Sequence, residues 1–247
     1  MVAICPAPGH GITLQDGTLV FPTQGRDKDG HPFSNITWSK DGGKTWSASN
    51  PAFTNVTECM AVQLSDGNIM LNMRDNRNRG NKEENGRRVC ITSDLGKTWT
   101  EHPTSRKALI EPTCMGSIHK HTYHKDGQNK SILLFVNPES YSERNHITLK
   151  ISYDDGKTWP ENKKILLDEY KRTRLFLHNL CKMKTQSVFY MKAVKPIWSF
   201  NKSNWKNYCP KPERPCIQGS KSLGYRAFLL FRYLLTPTPA VPAPANS

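Results

Sequence analysis

Ser39-Lys40-Asp41-Gly42-Gly43-Lys44-Thr45-Trp46 is written three times in this chain. Thr92-Ser93-Asp94-Leu95-Gly96-Lys97-Thr98-Trp99 repeats it with threonine in the lead, and Ser152-Tyr153-Asp154-Asp155-Gly156-Lys157-Thr158-Trp159 keeps the pattern Ser-x-Asp-x-Gly-x-Thr-Trp unchanged. The aspartates stand 53 and 60 residues apart, a spacing that suits a four-stranded propeller blade of roughly 40–50 residues. Within each copy a short hydroxyl or carboxylate side chain can hold a turn by bonding nearby amides, and glycine accepts the positive φ that closes a hairpin. Threonine and tryptophan then start the returning strand, with the indole as an apolar anchor. Asp41, Gly43 and Trp46, Asp94, Gly96 and Trp99, and Asp154, Gly156 and Trp159 are therefore read as architectural, because three equivalent corners cannot all face one active site.

Working outward, residues 12–21 alternate around Asp16-Gly17 as two short strands, and residues 34–38 and 46–49 flank the first corner. Ala61-Val62-Gln63-Leu64 and Ile69-Met70-Leu71-Asn72-Met73 read as a hairpin turned by Ser65-Asp66-Gly67-Asn68, with Glu58 and Arg74 at its outer ends. Residues 77–86 form a polar, glycine-rich loop, and Arg88–Thr92 leads into the second corner. Ser131–Val136 is a buried-strand run that Asn137-Pro138 is expected to break, and His146–Ser152 is a strand entering the third corner. No helical period survives a long window before residue 165, so the class is all-β.

At 247 residues the chain can hold one sizeable domain. Its formal charge of +14 is unevenly placed: residues 1–169 carry 21 basic and 20 acidic side chains, residues 170–247 carry 14 and 1. A nucleic-acid or anionic-surface reading would therefore rest on the last third alone, where Lys195–Lys206 interleaves aromatic and basic residues, and no nucleic-acid partner is expected. Seven scattered cysteines without a Cys-x-x-Cys pair give no disulfide framework and read as buried or incidental thiols. No apolar run reaches the roughly 18 residues of a membrane span. Met1-Val2-Ala3-Ile4-Cys5 lacks a signal-peptide pattern, so the product as written is expected in the cytoplasm.

The repeated octapeptide, together with Pro8–Phe21, Thr57-Glu58-Cys59, Leu71–Asp75 and His102–Pro112, resembles the Asp-box sialidases, in particular bacterial exo-sialidases of the Bacteroides type. The resemblance covers residues 1 to about 170 and implies a six-bladed β-propeller that releases terminal sialic acid from glycoconjugates with retention. It implies sialylated glycans or glycolipids as partners, no metal or organic cofactor, and export of the full-length protein. The other reading is a non-catalytic Asp-box propeller that binds carbohydrate or protein.

Sialic acid carries its own carboxylate, so its site needs planar, permanently charged donors that bind in a fork. The family supplies three arginines. By motif, Arg74 matches the second and Arg144 the last. Arg77, Arg79, Arg87 and Arg88 are local rivals of Arg74, whereas Arg144 has none between Arg106 and Arg172. Glu58 matches the glutamate that takes a proton from the nucleophilic tyrosine, which titrates near 10 and needs a base within reach. His119 and His121 share one strand face, but without a nearby cysteine or carboxylate at ligand spacing they are not read as a zinc site.

Two departures from the family pattern set further expectations. The Arg-Ile-Pro motif with the first arginine, and the acid/base aspartate after it, have no counterpart, so Met1 is expected to be an internal start. After Tyr170 the family pattern implies Gly-Arg-Gly-Tyr-Ser-Cys with the nucleophile, where Lys171-Arg172-Thr173-Arg174-Leu175-Phe176-Leu177 stands instead. Permitted codons for those seven residues, read one base out of phase, give Asn-Gly-Arg-Gly-Tyr-Ser-Cys. The expectation is thus an incomplete propeller over 1–170 and a basic, frameshifted, irregular tail over 171–247, inactive as written.

Overall fold

The computed structural model describes residues 4–77 and 85–170 in full, and the backbone of residue 3, 175–183 and 186–193. Sixteen strands and no α-helix occur among them. The first sheet runs β1 (Ala3–Pro6), β3 (Leu19–Arg26), β4 (Pro32–Ser39), β5 (Ser47–Ala48), with β2 (Ile12–Thr13) on β3 and β6 (Phe53–Thr54) on β4. The second is β7 (Val56–Gln63), β8 (Ile69–Asp75), β9 (Arg88–Thr92), β10 (Thr100–Glu101), in that spatial order. The third is β11 (Ser117–Lys125), β12 (Gln128–Pro138), β13 (Ile147–Ser152), β14 (Lys164–Asp168), and β15 (Leu175–Met183) pairs β16 (Gln186–Ala193). Neighbours are antiparallel throughout. These are the consecutive meanders of propeller blades, and among the described residues they do not close into a ring. No helix of the described residues is long and apolar enough to cross a membrane.

Period-2 alternation on β7 and β8 sorts the core. Cys59, Ala61, Ile69, Leu71 and Met73 face the first sheet and pack with Val20 and Ile36. Met60, Val62 and Met70 face the third and pack with Ile118, Leu133 and Phe135. Two apolar interfaces thus hold three sheets side by side, each fully buried large side chain contributing about 1.5–3 kcal/mol. Cys59, Cys90 and Cys114 are buried free thiols. Burial pushes Cys59 and Cys90 up to about 12, which leaves them protonated and inert.

The three corners are superimposable in their bonding. The leading hydroxyl of Ser39, Thr92 or Ser152 donates to the aspartate and accepts from the glycine amide four residues on. The aspartate in turn accepts from the amide and hydroxyl of Thr45, Thr98 or Thr158 at 2.6–3.0 Å. Those bonds hold the Asp94 carboxyl down at about 2. Each later corner is also fastened to the sheet before it. Trp99 joins the first interface and donates its Nε1–H to the Asn50 carbonyl, and Trp159 joins the second interface. Asp155 accepts from the Ser65 amide and hydroxyl in the β7–β8 turn.

Two expectations are revised. β12 continues through Pro138, which stands opposite Ile147, because proline forfeits only its own N–H at a strand end. The stretch from 171 was expected to lack strands, yet β15 and β16 form a hairpin in it, with β-favouring Val188-Phe189-Tyr190-Met191 in β16. Residues 171–174, 184–185 and 194–247, on which the rest of the frameshift and tail reading falls, lie outside the described residues.

Candidate functional site

Glu58 and Arg74 sit at the end of the strands opposite the corners. The ladder between β7 and β8 pairs Thr57 with Arg74 and then Cys59 with Met73, leaving Glu58 as the extra residue of a β-bulge. A bulge turns one side chain out of the alternation and frees its backbone from the ladder. Both freed groups find side-chain partners: the Glu58 amide donates to Gln24 Oε1 at 2.9 Å, and its carbonyl accepts a long bond of 3.4 Å from Arg87 Nη2. The Glu58 carboxylate meets Arg74, Nη1 to Oε2 at 2.5 Å, with side chains 27% and 16% exposed. Both groups therefore remain reachable from solvent while held in a partly desolvated pair. Arg74 keeps its Nε–H buried and without a partner among the described residues.

The rival arginines are engaged elsewhere. Arg77 and Arg88 stack on Phe53, with guanidinium carbons 4.7 and 4.1 Å from the ring centre, and both bond the fully buried Asp75. Arg88 also pairs with Glu101. Arg87 is wholly buried against Glu111 at 2.8 Å. Arg79 lies outside the described residues.

Arg144 lies half-buried in the connection between β12 and β13. Its charge reaches the Cys114 thiol, which burial pushes above the ordinary thiol value, with Arg144 opposing and Glu58 and Glu111 reinforcing. Arg144 thus stands in a connection of the third sheet, whereas Glu58 is on β7 of the second. The nine corner residues lie at the far ends of the strands, about the turns that β4, β9 and β13 enter. A cleft of about 500 Å³ opens there too, lined by Asp16, Trp38, Lys40, Gln63, Asp94 and Lys97. Two of its polar groups are already in use: Gln63 bonds the Gln15 amide and Gly67 carbonyl, and Lys40 lies over the Trp38 ring. The chemistry-bearing pair is not in this cleft.

His119 lies edge-on to His10, ring centres 6.3 Å apart, and His121 stacks on Tyr123 at 6.0 Å. Asp27, Asp29 and His31 gather in the β3–β4 turn, where Asp27 accepts from the amides of the other two and so holds the turn. Sequence reasoning passed over Gln24, Arg87 and Glu111 as parts of the site. A glutamate inside a motif and an arginine among five were visible, but their burial against each other was not.

The BNR repeat-like domain family matches residues 3–161. A sialidase of Bacteroides fragilis is 44% identical over 187 residues, covering 76% of this chain and 33% of the relative. Among solved structures, the Hadza microbial sialidase Hz136 aligns with a TM-score of 0.63 at 44% identity, over 71% of this chain and 33% of that one. A Trypanosoma rangeli sialidase in complex with 2,3-difluorosialic acid, a covalent intermediate, aligns with a TM-score of 0.50 at 26% identity, over 62% and 24%. The chain therefore spans about a third or less of the length of these relatives.

Proposed function

The chain belongs to the BNR repeat-like domain family, and from that premise we propose that residues 3–161 carry the sialic-acid-facing sheets of an exo-α-sialidase. Glu58 acts as the base that would activate a tyrosine nucleophile, and Arg74 and Arg144 as two of the donors for the substrate carboxylate. The observation that supports this best is the Glu58–Arg74 pair on a bulge at one end of the second sheet, with the Arg74 Nε–H buried and without a partner among the described residues. A buried N–H without an acceptor costs about 1–3 kcal/mol, and a carboxylate ligand would supply that acceptor. Glu58 would be the carboxylate base within hydrogen-bond reach that a tyrosine nucleophile requires, with Arg74 holding its orientation.

Binding of N-acetylneuraminate, followed by saturation-transfer NMR on the whole chain, tests the assignment. Arg74→Met is expected to weaken binding by about ten- to a hundredfold, the value of a charge-assisted bond of roughly 1.5–3 kcal/mol. Glu58→Ala is expected to weaken it too, because Arg74 loses the partner that orients it. Loss at Arg74 with indifference at Glu58 would mark a glycan-binding module instead of an enzyme. Undiminished binding by Arg74→Met would remove the site altogether.

A further inference from the structure

Beneath Glu58 and Arg74 lies the Arg87–Glu111 pair, with neither side chain exposed. Arg87 immediately precedes β9, and Glu111 lies in the connection from β10 to β11. The Arg87 guanidinium donates from Nε to Asn72 Oδ1 at 2.7 Å, from Nη1 to Glu111 Oε2 and the Cys114 carbonyl, and from Nη2 to the Glu58 and Asn72 carbonyls. Glu111 accepts from the Asp75 amide at 3.0 Å and from the Cys114 amide at 3.2 Å. The far ends of these bonds are backbone groups on either side of the exposed pair. They are the carbonyl of Glu58, the carbonyl of Asn72 on β8, the amide next to Arg74, and both backbone groups of Cys114 where the chain enters β11, with the Asn72 side-chain Oδ1 added to them.

Stability alone does not account for such a pair, since desolvating two charges commonly cancels their attraction and apolar side chains of similar volume would serve as well. What apolar side chains cannot do is bond the released backbone of a bulge and a strand end at the same time. We propose that Arg87 and Glu111 are positioning residues, which fix the β7 bulge, the end of β8 and the entry to β11 in one frame. Glu58 and Arg74 then stand at a set distance from each other and from the third sheet. This rests on reading Glu58 and Arg74 as the sialic-acid site. Glu111 bonds the main chain of Asp75 and Cys114 besides Arg87, and Arg87 uses every N–H of its fork. Lysine at position 87 could not reproduce that pattern.

The test is Arg87→Met/Glu111→Leu in the full chain, with Glu111→Gln as a milder variant that keeps shape and an acceptor oxygen. Two measurements are read beside far-UV circular dichroism: N-acetylneuraminate affinity, and the guanidinium N–H signals of Arg74 by NMR. Native Arg74 is expected to give at least one resolved, slowly exchanging N–H through its bond to Glu58. In the double variant this signal should broaden or vanish with the sheet content retained, and affinity should fall about ten- to a hundredfold, as for ångström-scale misplacement of a binding group. Glu111→Gln should lie between native and double variant on both scales. A double variant, or Glu111→Gln should the double variant not fold, that keeps native affinity and a native Arg74 signal overturns the proposal. A native chain that binds no sialate but whose Arg74 signal depends on the pair overturns the functional reading and upholds the positioning one.

Discussion

Gln24 reaches from the first sheet to the backbone amide of Glu58, so its removal is felt at the bulge and not in the core. Gln24→Leu is expected to cost about 1 kcal/mol, the usual value of one hydrogen bond, read as a lower denaturation midpoint in urea at unchanged slope. Lys150 offers a test of another kind. Its ammonium is buried, bonded to Asn137 Oδ1 at 2.6 Å, with Glu139 at 3.9 Å. Burial pushes it down to about 8, Glu139 offsetting part of that. A lysine lowered from 10.5 binds fewer protons folded than unfolded between about pH 8 and 10.5, so its penalty is full below that window and relieved above it. Native protein should therefore gain on Lys150→Met as pH rises through the window, by up to about 3 kcal/mol. A constant gap in stability across pH 8–10.5 would contradict the burial of its charge. Residues 58, 74 and 144 could be picked out in the sequence only through the resemblance of their motifs to those of sialidases. Lys150 could not be, because nothing in His146–Ser152 says which face is covered by the neighbouring sheet.

At the scale of the element, the corners are the most self-sufficient pieces of the chain. Every bond that closes one spans two to four residues, which is why eight letters of sequence suffice to read it. Their glycines differ in what they tolerate. Gly96 has φ +78°, and a Cβ there would lie 2.4 Å from the Ser49 Cβ, whereas Gly17 has φ +85° and open space around it. Gly17→Ala should cost about 1–2 kcal/mol, the left-handed penalty alone. Gly96→Ala should cost clearly more, because the corner must also retreat from the first sheet. Thermal unfolding of the two variants side by side decides this, and equal losses would mean that the corner is not pressed against Ser49. The hairpin from β7 to β8 was also legible from its alternation and turn. Its bulge was not, since one unpaired residue leaves the apolar pattern on either side intact.

At the scale of the molecule, sheets are joined by interfaces to which two of the three corner tryptophans, Trp99 and Trp159, belong. Trp159 is 9% exposed between the second and third sheets, while Trp46 is 42% exposed and rests on Phe21. Trp159→Ala is expected to cost about 3–5 kcal/mol, as for a large side chain deleted from a core. Trp46→Ala should cost much less, and equal losses by chemical denaturation would show that the two corners are equally anchored. The sequence alone determined the repeat, the all-β class and the hairpins, because turns and alternation are written in residues a few places apart, whereas Glu58, Arg74 and Arg144 were singled out only by the likeness of their motifs to those of sialidases. Only the tertiary structure decided that Glu58 meets Arg74 across a bulge, that Arg87 is buried and bonds the Glu58 carbonyl, and that Glu111 is its partner. Those facts depend on which distant backbone groups the pairing of strands leaves unbonded, a property of the assembled sheets that no local stretch encodes.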